Sequence, residues 1–248
     1  MALRYGLWTL DYVDLTLPTP AENLACDEAL LNWAEAHGGP GVLRFWESTQ
    51  PFVVLGYANK VREEVDVEAS RKLQVPILRR CSGGGAVLQG PGCLNYSLVE
   101  KVDAAGPRPS IGSTNDFVMQ RHARALAGLL ARPVTVEGVT DLALDRLKFS
   151  GNAQRRRQSW FLFHGTFLLE VNFDLLDRLL PLPARQPAYR QNRSHADFLT
   201  RLDLSPDVIK AALSQAWDAH QPREDIPQAE IARLASEKYS TAAWNFKW

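Results

Sequence analysis

The chain has 248 residues, 46% hydrophobic and 23% charged, enough to bury a sizeable core in an ordinary globular domain. Lysine plus arginine and aspartate plus glutamate number 28 each, so no overall field favours nucleic acid or an anionic membrane, and any basic surface is local. No apolar run reaches bilayer length, Asp11 and Asp14 argue against a leader peptide, and Cys26, Cys81 and Cys93 lack metal spacing, so the expectation is a cytoplasmic protein.

Residues 7–13 read as an opening strand. Thr19-Pro20-Ala21-Glu22 supplies a capping hydroxyl, a proline at the first helical position and a glutamate three after the cap, so a helix is expected to run to Gly38-Gly39. Residues 41–47 and 51–57 read as strands, and a polar helix is expected over 63–73. Val75-Pro76-Ile77-Leu78 is a strand that delivers Arg79 and Arg80, with Ala86–Leu88 and Leu94–Val99 pairing as its continuation. Lys101–Arg108 is a polar loop, and apolar spacing predicts a helix over 115–130. Short strands at 133–137 and 141–144 precede a lysine loop at 148–154, and Trp160–Val171 is strand-like. Helices are expected near 173–180, 205–220 and 227–238, with an arginine-rich loop at 181–195. Strands and helices mix without strict alternation, so the fold class is α+β.

Two stretches carry chemistry. In Arg79-Arg80-Cys81-Ser82-Gly83-Gly84-Gly85-Ala86-Val87-Leu88 two guanidinium groups run into three glycines. Glycines let a ligand reach the backbone and expose its N–H groups, and guanidinium groups complete an anion cradle. The plainer alternative is a flexible turn between strands. A Walker-type phosphate loop is excluded, because no Gly-Lys-[Ser/Thr] follows. In the second stretch, Lys148 precedes Ser150-Gly151-Asn152. That lysine is either solvated surface or an ammonium projecting into a pocket to meet a carboxylate or phosphate.

Together these stretches resemble a known family. Arg79-Arg80-x-Ser82-Gly83-Gly84-Gly85-Ala86-Val87, Gly92-x-x-Asn95-x-Ser97, Thr140-Asp141-Leu142, Lys148-x-Ser150-Gly151-x-Ala153 and His164-Gly165-Thr166 are similar, in order, to the lipoate-protein ligase A family and its octanoyltransferase relatives. The opening Glu22-Asn23-Leu24-Ala25-x-Asp27-Glu28 and the closing Lys238-Tyr239 and Trp244-Asn245 fit too. The resemblance implies the biotin/lipoate protein ligase catalytic-domain fold, a mixed, largely antiparallel sheet flanked by helices. It implies one catalytic domain over 1–248, without a separate C-terminal accessory domain.

The implied activity is ligation. Lipoate is activated with ATP and Mg²⁺ to lipoyl-AMP, and the lipoyl group passes to a lysine of a carrier domain, a 2-oxoacid dehydrogenase E2 subunit or the glycine cleavage H protein. Carried over by position, Arg80, Ser82, Gly83, Gly84, Gly85, Ala86, Val87 and Leu88 hold the adenylate. Lys148 stabilises negative charge at the acyl carbon. Asn95 supports the loop or binds ligand; Asp141 places Mg²⁺ or nucleotide or is a solvent-facing turn residue; His164 is a hydrogen-bonded structural histidine rather than a general base. Strands around Trp46, Phe52 and Val54 supply an apolar slot for the acyl tail.

Departures divide the readings. Acyltransferase branches use a cysteine nucleophile, but Thr140-Asp141-Leu142 and Pro181-Leu182-Pro183-Ala184 stand where the two branches carry theirs. Cys81 and Cys93 are either nucleophiles or small buried hydrophobes. The missing thiols favour an adenylate route, and the missing accessory domain implies a small partner protein for adenylation or a preformed acyl donor. Gln89-Gly90 replaces a His-Asp pair, which is the support for a non-catalytic binding module. Arg155–Arg157, Arg185, Arg190 and Arg193 are a solvated face or a carrier-docking surface.

Overall fold

In a computed structural model, residues 10–103, 109–183 and 185–248 are described. The start of the 7–13 strand, part of the 101–108 loop and Ala184 lie outside them. The elements follow in the order β1 (Leu10–Asp14), α1 (Pro20–His37), β2 (Gly41–Glu47), β3 (Phe52–Leu55), α2 (Val61–Glu64), α3 (Val67–Lys72), β4 (Ile77–Arg79), β5 (Val87–Gln89) and β6 (Cys93–Lys101). Then come α4 (Ile111–Leu130), β7 (Thr135–Glu137), β8 (Asp141–Leu144), β9 (Leu147–Arg156), β10 (Trp160–Leu168), α5 (Phe173–Leu179) and α6 (His195–Phe198). The chain closes with α7 (Pro206–Trp217), β11 (Gln221–Pro222), α8 (Gln228–Leu234), a π-helical turn (Ala235–Tyr239) and α9 (Ala242–Asn245). No helix among the described residues is long and apolar enough to cross a membrane.

Local signals explain the best-defined elements. Thr19 and Glu22 close the expected capping box on α1, and Gly38 ends it at φ 70°. Ser110 and Ser113 make a second box that starts α4 four residues earlier than the apolar spacing suggests. The helix expected over 63–73 is two short helices, because Val65 at φ −142° breaks the run and Asp66 caps the second.

An eight-stranded sheet in the order β11-β1-β2-β6-β10-β9-β8-β7 forms the body, and a three-stranded sheet, β4-β3-β5, stands beside it. Among the described strands only the β1–β2, β1–β11 and β3–β4 pairs are parallel, so the fold is the mixed, largely antiparallel α+β arrangement expected. One expectation fails. β5 pairs with β3, whereas β6 leaves for the centre of the large sheet between β2 and β10. The turn at Gly90–Gly92, with φ 157° and 81°, makes that change of sheet.

Alternation along the central strands sends two side-chain sets to opposite faces. On one face Val42, Trp46, Val99 and Leu162 pack under α1 and α8. On the other, Phe45, Tyr96, Leu98, Phe163 and Phe167 pack under α4 and α7. Both faces are covered, so β6 is buried along nearly its whole length.

Candidate active site

The two arginines delivered by β4 have different fates. Arg79 is fully buried, and its guanidinium donates to the carbonyls of Gly56, Tyr57, Asn59, Trp244 and Asn245. It therefore ties the C-terminal segment to the small sheet and is not part of an anion cradle. Arg80 folds under the glycine loop, donating to Gly83 O, Gly85 O (2.9 Å) and Ser82 Oγ (3.2 Å). Burial lowers its pKa to about 10, which leaves it cationic at neutral pH.

The loop is shaped by close approach. Gly84 sits at φ 88°, and a Cβ there would lie 2.6 Å from the Arg80 guanidinium. Gly83, Gly84 and Gly85 are exposed, while Ala86, Val87 and Leu88 are half-buried on the way into β5. The Ser82 side chain points inward. Its Oγ lies 2.6 Å from His164 Nε2, and His164 Nδ1 donates to Asp27 Oδ2 at 3.0 Å. Asp27 also pairs with buried Arg44 at 2.6 Å. Burial pushes the Asp27 carboxyl up, but the His164 hydrogen bond and the Arg44 charge outweigh it and hold the pKa below the usual carboxylate value. His164 is thus a hydrogen-bonded residue that joins the loop to α1.

The floor is a row of residues in register across five strands. Trp46 (β2) faces Asn95 (β6), Asn95 faces Thr166 (β10), Thr166 faces Gly151 (β9), and Gly151 faces Asp141 (β8). Asn95 Oδ1 accepts from Thr166 Oγ1, which accepts from Gln89 Nε2, each at 2.6 Å. The Gln89 that replaces the family's histidine thus clamps β5 to the floor.

Lys148 is on β9, not on a loop. Where β9 pairs with β8 the register shifts between Leu142 and Ala143, and the extra residue, Phe149 of β9, brings Lys148 to the face of Gly151. Its ammonium lies 2.8 Å from the position that a Cβ on Gly151 would take. Two residues further along the same face, the Ala153 methyl lies 3.8 Å from the position of a Gly84 Cβ. Ammonium and glycine loop therefore meet one strand at neighbouring sites, roughly 7 Å apart. Asp141 Oδ1 pairs with Lys148 Nζ at 2.8 Å, and Asp141 Oδ2 accepts from Tyr189 OH at 2.8 Å. Sequence reasoning missed Tyr189, whose only signal was its place in the arginine-rich loop; folding sets that loop against the turn at Gly138.

These parts line one cavity of about 1040 Å³. Gly84 to Leu88 and Lys148 lie on its wall, Trp46, Phe52 and Val54 line its apolar part, and Pro187, Arg190 and Leu199 border it from the segment after α5. Of the predicted set, Arg80, Gly84, Gly85, Ala86, Val87, Leu88, Asn95, Asp141 and Lys148 border the cavity. Ser82 and Gly83 do not. From Trp46 to Gly151 is three strand spacings, roughly 14 Å, the span of a medium-length acyl chain lying across the sheet.

None of the three thiols is poised to react. Cys26, Cys81 and Cys93 are free and buried, and burial raises their pKa values to about 11, 12 and 12. A thiol with so high a pKa holds almost no thiolate at neutral pH.

A cavity over a sheet, lined by apolar strand residues, a glycine loop and an ammonium, fits a catalytic domain of the ligase and acyltransferase class. The chain belongs to the lipoyl protein ligase A/B catalytic domain family, which matches residues 19–216. It is 30% identical to octanoyltransferase LipM of Carboxydothermus hydrogenoformans, over 97% of this chain and 99% of that protein. It is also 30% identical to lipoate-protein ligase A subunit 1 of Thermoplasma acidophilum, over 93% and 95% respectively. Among solved structures, a bi-partite lipoate protein ligase of T. acidophilum, studied with its E2 lipoyl domain, superposes with a TM-score of 0.79 at 26% identity, covering 96% of both chains. Lipoate-protein ligase A bound with ATP superposes with a TM-score of 0.78 at 27% identity, covering 96% of this chain and 98% of that one.

Proposed function

We propose that this chain is a lipoate-protein ligase that makes lipoyl-AMP from lipoate and ATP and transfers the lipoyl group to a lysine of a carrier domain. The carrying observation is that Lys148 and the glycine loop meet one strand at neighbouring sites in a cavity that Trp46, Phe52 and Val54 also line. A carboxylate in that cavity would lie between the ammonium and the loop's backbone N–H groups, where the phosphates of ATP also find donors. A carboxylate oxygen attacks the α-phosphorus and pyrophosphate leaves. The carrier's lysine amine then attacks the acyl carbon, and AMP leaves as the amide forms. Lys148 stabilises the oxyanion of that second step.

The residues suit nucleotide with Mg²⁺ carried on its phosphates. Among the described residues no group of three or more His, Cys, Asp or Glu side chains could hold a metal. A Mg²⁺ ion would take most of its oxygens from phosphate and water, with Asp141 as the nearby carboxylate. The similarity to subunit 1 of a two-subunit ligase supports adenylation with the help of a separate small protein.

The second reading, octanoyl transfer from a preformed donor, is favoured by the names of several relatives, octanoyltransferases all, and by Cys93, which borders the cavity. The raised thiol pKa weighs against it.

Intact mass of an apo carrier domain tests both. Synthetic lipoyl-AMP is expected to lipoylate the carrier, lipoate with Mg-ATP to do so once an accessory protein is present, and Lys148→Ala to slow transfer about 10²–10³-fold. Acylation from octanoyl carrier protein without ATP, lost in Cys93→Ser, would replace the ligase by the transferase.

A further inference from the structure

Beside the glycine loop a group of cations gathers around two aromatic rings. The Lys247 ammonium sits 3.4 Å from the centroid of the Tyr57 ring and 3.9 Å from that of Trp244. The Arg155 guanidinium lies 5.8 Å from the Tyr57 centroid. Among the described residues neither cation has an ion pair. Burial lowers the Lys247 pKa, and so do the neighbouring charges of Arg79, Lys238 and Arg155, all of one sign. Arg79 gives its donors to carbonyls, and Lys238 already holds Glu28 at 2.6 Å. The patch therefore carries net positive charge over half-exposed aromatic surface, Tyr57 being 40% exposed.

Its position relates it to the site. The Tyr57 N–H donates to Ser82 O at 2.7 Å, so its backbone is held against the start of the glycine loop. Arg155 is the next residue after Ala153 on the cavity face of β9, four residues from Gly151, roughly 13 Å along the strand. Tyr57, Arg155, Trp244 and Lys247 nevertheless do not line the cavity. They lie beyond its lining, where something that sits outside and reaches in would meet them. A free phosphate would use the charges but not the rings. A protein surface uses both, and aromatic and arginine side chains are the usual anchors of such surfaces.

We propose that Lys247 and Arg155, with the rings of Tyr57 and Trp244, dock an acidic surface next to the acceptor lysine of the carrier domain. This rests on the ligase reading for the partner's identity but not for the contact. Docked there, the carrier's lysine extends past Ala153 and the glycine loop toward the acyl carbon at Lys148.

The test is titration of an apo E2 lipoyl domain, with acidic residues beside its lysine, into the full chain, read by tryptophan fluorescence and calorimetry at low and physiological salt. Lys247→Glu with Arg155→Glu is expected to weaken carrier binding about tenfold and to flatten its salt dependence. Lysines in place of the carrier's acidic residues are expected to restore binding to that double variant. Arg155→Gln, a milder change at a partly exposed strand position, is expected to show part of the loss and guards against misfolding of the double variant. Equal affinity of wild type and both variants would overturn the proposal, as would no wild-type binding, or displacement of the carrier by millimolar pyrophosphate bound through Lys247. Aminolysis of lipoyl-AMP by hydroxylamine reports the site chemistry separately. Carrier binding without acyl transfer sinks the ligase reading and leaves the docking surface standing.

Discussion

Burying a guanidinium is unfavourable unless its five donors find acceptors, and two adjacent arginines meet that requirement differently. Arg79 satisfies it with carbonyls from three residues after β3 and two in α9, so its charge serves the fold. Arg80 satisfies it with the carbonyls of the loop it supports, leaving the loop's N–H groups for a ligand. Arg79→Leu is expected to destabilise the chain by about 3 kcal/mol, because several buried carbonyls lose their donors together. Urea denaturation followed by circular dichroism measures it, and a loss below about 1 kcal/mol would show that the carbonyls find other partners. The doublet was legible as chemistry, but its division of labour was not, since adjacent residues on a strand point to opposite sides.

Elements are held by contacts that titrate in separate windows. His122 on α4 is fully buried, and its Nε2 accepts from Trp217 Nε1 of α7 at 2.8 Å. Burial, aided by Arg121, lowers its pKa from 6.5 to about 3. The folded histidine stays neutral where the unfolded one takes up a proton, so stability rises with pH between those values and its contribution is lost as pH falls below 6.5. Folding free energy is expected to drop between pH 7 and 5 in wild type and to vary less in His122→Leu, in denaturant titrations at each pH. Asp27 acts lower. Its depressed pKa stabilises the fold above the unfolded value of 3.8 and is lost as pH falls through the folded value. Helix starts such as Thr19–Glu22 were readable because a cap is local chemistry. Lys148 was misplaced on a loop because Ser-Gly-Asn is turn-like alone, whereas pairing of β9 with β8 and β10 on either side holds it extended.

The molecule as a whole brings residues 46, 89, 95, 141, 148 and 166 to one cavity, and the ligand should therefore stiffen both sheets together. Lipoyl-AMP at a hundred times its Kd is expected to add about 2.7 kcal/mol, a rise in Tm of roughly 5–10 °C for a chain of this size. Gly84→Val, which places a side chain at φ 88° against Arg80, is expected to lose most of that shift. An equal shift in Gly84→Val would place the ligand away from the glycine loop. Order along the chain by itself determined the α+β class, the helix caps and the glycine loop, because capping, alternation and glycine content are carried by neighbouring residues. Only the tertiary structure decided that β5 and β6 part into different sheets, that Ser82 turns to His164, and that Tyr189 reaches Asp141. Those outcomes depend on which distant strands share hydrogen bonds, and strand pairing is set by burial of a whole face rather than by any local run of residues.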